Sequence, residues 1–249
     1  MPKQSRLIVA ITAVLALAIF TWPLYVGDTS IGERAIAQTS LMLLMPLLVG
    51  LVLFEVSSGG IGSRQVAVLA VLSALNAVVR MLGAGVAGIE TLFFIVIIAA
   101  YVFGSSFGFL LGASSMLVSA LLTGGVGPWL PFQAMAAGLV GLGAGLLPRK
   151  PKPRPMMLAY AVVASFIYGG LMTMWNWPFM AGTGTSVSFI PGAGPLENLS
   201  QFIKYEALTG GLLWDTGRAI TTGVLIWLTA PALLTTLGRA AVRAGFESK

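Results

Sequence analysis

Asn76 and Arg80 stand four residues apart, and Asp215 and Arg218 stand three apart with Trp214 beside them. On helices, each of these spacings places its residues on one face. Glu90 is the remaining charge of the group, and Trp129, Gln133, Trp175, Asn176 and Trp177 add aromatic faces and amides. Such a set can stack on and hydrogen-bond a planar or macrocyclic organic ligand, with the arginines and Asp215 reading its polar or charged parts. It could equally relay a proton or an ion through Glu90, Asp215 and Arg218. A plainer reading has Arg80 neutralising Glu90 and Arg218 neutralising Asp215, with the tryptophans forming an interfacial belt.

Other chemistries lack their residues. The 249-residue chain has no cysteine and no histidine, which removes disulfides, thiolate nucleophiles, Cys/His metal sites, haem-ligating histidine and Ser-His-Asp arrangements. No metal site and no cofactor are expected. Asp28 and Asp215 are the only aspartates, so clustered aspartates that would hold Mg²⁺ on a diphosphate, as lipid or prenyl chemistry requires, are missing. No Gly-x-x-x-x-Gly-Lys-Ser/Thr loop is present, so the chain cannot hydrolyse ATP alone.

The elements that position these residues follow from composition. At 57% hydrophobic and 9% charged, the chain is expected to be an all-α integral membrane protein, since a soluble domain carries roughly 25% charged residues. A span of about 20 apolar residues crosses the hydrocarbon core. Eight segments qualify: 7–26, 37–57, 64–82, 89–103, 107–122, 130–147, 156–174 and 212–237, the fourth being short. The first carries no small-residue cleavage pattern and is read as a retained helix.

With both termini cytoplasmic, Lys3, Arg6, Arg64, Arg149, Lys150, Lys152, Arg154, Arg239, Arg243 and Lys249 fall inside, and Arg34, Arg80, Lys204 and Arg218 outside. That is ten of the 14 basic residues, as the positive-inside rule expects. The net charge of +6 is therefore topology rather than a nucleic-acid footprint. In this arrangement the candidate residues Asn76, Arg80, Glu90, Trp129, Gln133, Trp175, Asn176, Trp214, Asp215 and Arg218 all gather at the outer end. Glu55, at the inner end of the second segment, is assigned no role.

Two connections stand out. Pro148-Arg-Lys-Pro-Lys-Pro-Arg-Pro155 is a basic, extended loop, read as a topological anchor or as a docking site for a cytoplasmic partner or anionic lipid. The outer excursion 177–211 is long enough to be a lid, with a short helix in its second half around Phe202, Lys204, Tyr205 and Glu206. Gly104, Gly108 and Gly112 repeat every fourth residue, as do Gly141 and Gly145, which suits close helix packing. Ala70 and Ala74, with Ser73 and Ala77, make a similar stripe that could pack internally or face a partner.

The stretch from Ser119 through Gly127-Pro-Trp-Leu-Pro-Phe-Gln133, followed by Gly138-Leu-Val-Gly-Leu-Gly-Ala-Gly-Leu-Leu-Pro148, resembles the substrate-binding S components of energy-coupling factor (ECF) transporters. Ala70-x-x-x-Ala74 looks like the alanine motif with which such components dock on their transmembrane T component. The resemblance implies a six-helix core over 64–249, with residues 1–63 supplying two additional N-terminal helices. The family's alanine motif normally lies on the first helix, and the segment 7–26 has no Ala-x-x-x-Ala spacing.

The resemblance further implies a multi-pass protein of a bacterial or archaeal cytoplasmic membrane that captures a vitamin or related micronutrient outside. A T component and two ATPase subunits would drive release inside. The length of the outer loop leans toward a large corrinoid such as cobalamin, with queuosine-like and flavin-like compounds also fitting. The competing expectation is a self-contained proton- or ion-coupled secondary transporter, although no clear inverted repeat is present.

Overall fold

The computed structural model describes residues 3–25, 39, 42–47, 49–50, 54, 62–83, 88–182 and 184–246. Among these every regular element is helical: α1 (Lys3–Phe20), a 3₁₀ turn (Trp22–Leu24), α2 (Ser63–Met81), α3 (Phe93–Phe103), α4 (Ser105–Thr123), α5 (Leu130–Gly145), α6 (Arg154–Met174), a single turn (Trp177–Met180), α7 (Pro195–Thr209) and α8 (Gly211–Arg243). The expected second span, 37–57, falls mostly outside the described residues. The positions described within it are helical.

Four helices, α2, α4, α6 and α8, are long and apolar enough to cross a bilayer, and α3, α5 and part of α1 are shorter apolar helices. The chain is thus an all-α membrane protein. The 11 residues of α3, Phe-Phe-Ile-Val-Ile-Ile-Ala-Ala-Tyr-Val-Phe, are apolar all round, the pattern of a helix covered on every side. It is the central helix of the bundle, packed by α4, α5, α6 and α8, and all but one of its residues are buried. Its length of roughly 16 Å is about half the thickness of a hydrocarbon core.

A short central helix forces irregular backbone to begin inside the bundle. Such backbone survives in lipid only where protein satisfies it or where it lines a cavity. Both conditions hold in residues 88–92. The Thr91 hydroxyl donates to the Val79 carbonyl at 2.7 Å, and the Leu92 N–H donates to Glu90 Oε1 at 3.1 Å. At the other end Gly104, with φ of 99°, turns the chain straight into α4.

The glycine repeats are used for packing. A Cβ on Gly108 would overlap the Gly141 carbonyl, one on Gly141 would overlap the Gly108 carbonyl, and one on Gly112 would overlap the Ala137 carbonyl. These two pairings, 108 with 141 and 112 with 137, run α4 antiparallel to α5 with their backbones in contact. The stripe on α2 splits by position. Ser73, Asn76 and Ala77 are buried, with Ser73 Oγ 2.7 Å from Ser114 Oγ on α4, whereas Ala70 and Ala74 are exposed.

Some boundaries differ from the sequence expectation. The last helix runs to Arg243, past the expected 237, and contains Pro231. Proline is tolerated within a membrane helix because neighbouring groups re-satisfy the freed carbonyls. The basic loop remains non-helical up to Pro153, and α6 opens at Arg154 with Pro155 in its first turn, where a missing N–H costs nothing. The loop is tied down by Lys150 N–H donating to the Tyr101 hydroxyl at 2.8 Å and by the Arg149 guanidinium 4.4 Å above the Tyr101 ring.

Candidate functional site

The end of the bundle opposite the basic loop holds a cavity of about 210 Å³ lined by Arg80, Gly88, Ile89, Glu90, Gln133, Tyr168, Met172, Trp214 and Arg218. It fills the space above the short α3. Five of its residues are ones that the sequence singles out: Arg80, Glu90, Gln133, Trp214 and Arg218. They arrive from the end of α2, the 88–92 segment, the first turn of α5 and the first turns of α8.

The charges are arranged as two arginine–carboxylate pairs. Arg80 Nε lies 3.6 Å from Glu90 Oε2, and Arg80 Nη1 donates to Ser119 Oγ at 3.0 Å. Arg218 pairs with Asp215, donates from Nη1 to the Ser165 carbonyl at 3.1 Å, and lies 5.0 Å above the Tyr168 ring. The mutual neutralisation that the plain reading foresees is therefore real, but three of the four charges also line the cavity. The Nε–H of each arginine has no hydrogen-bond partner. Two arginines lining one cavity suit a ligand that carries acceptor oxygens or nitrogens.

Two glycines make this geometry possible. Gly88 adopts φ of 76° and lies so close to Trp214 that any side chain would meet its carbonyl. Gly169 on α6 leaves room for the Asp215 carboxylate, which a Cβ would overlap. Tyr168, buried and edge-on to Phe93 at 4.8 Å between ring centroids, and Met172 complete one wall. The sequence reasoning missed both. Their signal is a shared face of α6, at i and i+4.

The other expected site residues sit elsewhere. Trp129 is 47% exposed and is not among the cavity's walls. Trp175 is buried and stacked on Phe132 at 3.9 Å, so its ring is packing. Asn176 and Trp177 open the short turn after α6, where Trp177 Nε1 donates to the Val187 carbonyl at 2.9 Å. Asn76 is fully buried on α2, its amide without a hydrogen-bond partner. Asp215 stands behind Arg218 rather than on the cavity wall.

The long connection between α6 and α8 supplies a second small cluster. Met174, Trp177, Phe189 and Phe202 are buried together under α7, with Leu24, Ala181, Leu199 and Tyr205 against them. The Asn198 side chain holds Ile190 at both ends, accepting from its N–H at 2.9 Å and donating to its carbonyl at 3.1 Å. Glu206, on the face of α7 turned to the bundle, is buried against Gly211. Burial pushes its carboxyl above the ordinary carboxylate value, and Asp215 adds to the rise while the Thr173 hydroxyl and Arg218 oppose it.

The described residues thus form a bundle of apolar helices with a small cavity at one end, lined by charged, amide and aromatic side chains. The chain belongs to the substrate-specific components of ECF transporters: the family model described as ECF transporter, substrate-specific component, matches residues 64–242. Neither the curated proteins nor the solved structures gave a match. The chain is accordingly a substrate-binding subunit of an ECF transporter, a class of transport component distinct from the ATPases that energise it.

Proposed function

We propose that this chain captures a vitamin or related micronutrient in the cavity between Arg80, Glu90, Gln133, Tyr168, Trp214 and Arg218, at the outer face of a bacterial or archaeal cytoplasmic membrane. Trp214 and Tyr168 offer aromatic rings, and Arg80 and Arg218 offer guanidinium groups at the cavity's wall. The single observation that carries this is the convergence of two arginines, each held by a carboxylate, on one cavity. The volume of about 210 Å³ lies below the roughly 300–1,000 Å³ of common ligand sites. That argues against the corrinoid toward which loop length leans, and for a compact ring compound with an acceptor group.

In this reading residues 64–249 form the six-helix core, residues 1–63 are additional, eight spans leave both termini cytoplasmic, and Ala70 and Ala74 face a T component that works with two ATPase subunits. The exposure of both alanines on α2 supports that role. Trp129, Trp175, Asn176 and Asn76 are supporting residues around the site rather than direct contacts.

Native mass spectrometry of the detergent-purified protein tests it. The expected result is a copurified molecule of vitamin size, with T and ATPase subunits recovered when the complex is kept intact. An empty, partnerless protein that moves ions in liposomes would establish the secondary transporter instead.

A further inference from the structure

The described part of the N-terminal region is not a loose appendage. Along α1 the side chains of Leu7, Ile11, Val14, Leu15 and Leu17 are exposed while Thr12 and Ala16 are buried, and Phe20, Trp22 and Pro23 enter the core. Phe20 is fully buried, edge-on to Phe132 at 5.6 Å. Trp22, 2% exposed, packs on Phe179 at 5.9 Å. Its Nε1–H donates to the Trp175 carbonyl at 2.7 Å.

That bond meets needs on both sides. A buried indole N–H must find an acceptor, and the last carbonyls of a helix such as α6 have no intrahelical donor. Two residues on, Leu24 packs into the cluster beneath α7, and the Trp22–Leu24 turn touches α7 itself. The turn thus joins two hydrophobic clusters. One contains Phe132, next to the cavity residue Gln133; the other underlies the outer loop whose Glu206 is buried near Asp215 and Arg218.

We propose that the Trp22-Pro-Leu24 turn is a strut that positions the outer loop 177–209 beside the cavity, with Trp22 and Leu24 as its positioning residues. Its consequence for ligand retention rests on the ligand-binding reading above; its consequence for the loop does not. Loss of the turn frees the loop at one edge while α3, α4 and α5 keep their own packing.

Amide hydrogen exchange on the full-length, detergent-solubilised chain tests this. Trp22→Phe keeps a ring and removes the donor; Leu24→Ala leaves the indole bond and removes the contact under α7. Each is expected to speed exchange in 175–209 about tenfold while amides of 93–103 and 105–123 stay unchanged, and to lower the fraction of protein carrying the copurified molecule. Unchanged exchange in 175–209, or acceleration spread evenly through the bundle, overturns the strut. Faster loop exchange with undiminished retention overturns its link to the cavity. If the ligand reading fails, the unmutated protein carries no molecule, and the exchange pattern still decides on the strut.

Discussion

Arg218 is held by Asp215, by the Ser165 carbonyl and by the ring of Tyr168, and it still lines the cavity. An arginine fixed this way loses little freedom when it engages a ligand. Asp215→Asn weakens the anchor, and the expected result is a loss of about tenfold or more in ligand affinity, roughly 1.4 kcal/mol, read by calorimetry with the copurified molecule. Gly169→Ala should reproduce that loss, because its Cβ would displace the same carboxylate. If it acts only through Asp215, the double variant is no weaker than the stronger single one; additive losses would show separate effects. The i, i+3 pair was legible from spacing alone. The role of Gly169 was not, because it depends on which helix packs against Asp215. Trp129 and Trp175 show a related limit: residue type marks an aromatic as valuable without saying whether it packs or binds.

At the level of elements, the run 93–103 has no polar face, the pattern of a helix covered on every side, yet by sequence 89–103 reads only as a short span. The sequence could not say that α3 is central, since that follows from packing by α5, α6 and α8, which are distant in the chain. Helix α7 shows the reverse case, where a mixed polar stretch became a docked helix by burying Phe202 and Glu206. The raised pKa of Glu206 means that the docked loop holds a proton more tightly than the released loop. Docking is therefore strongest below the ordinary carboxylate value and weakens as pH rises from there through the raised one. Glu206→Gln, neutral throughout, is expected to remove that dependence. The check is exchange protection of 195–209 across pH, corrected for the intrinsic chemical rate, and a dependence that survives the substitution would assign it to another group.

For the whole molecule, the two sides of the bundle divide their partners. α1 packs beside α5 and α6 while α2 packs on α4, so Ala70 and Ala74 remain exposed among the described residues. Small side chains let another helix approach closely. Replacing both with leucine should abolish copurification with T and ATPase subunits and leave the copurified molecule bound; loss of the molecule with the complex intact would place the docking face elsewhere. The glycine periodicity of α4 and α5 told in advance that backbones meet, though which glycine faces which came only with the register.

The buried central helix has an electrical meaning. Beneath the cavity α3 presents a hydrocarbon stopper: Val96, Ile97, Ile98, Ala99 and Ala100 are buried on all sides by their neighbours, and a charge has no wet route past them. The isolated subunit should then be an insulator. Vesicles containing it alone are expected to hold a proton gradient as well as protein-free vesicles do, and a leak that grows with protein content would show that the stopper opens without partners.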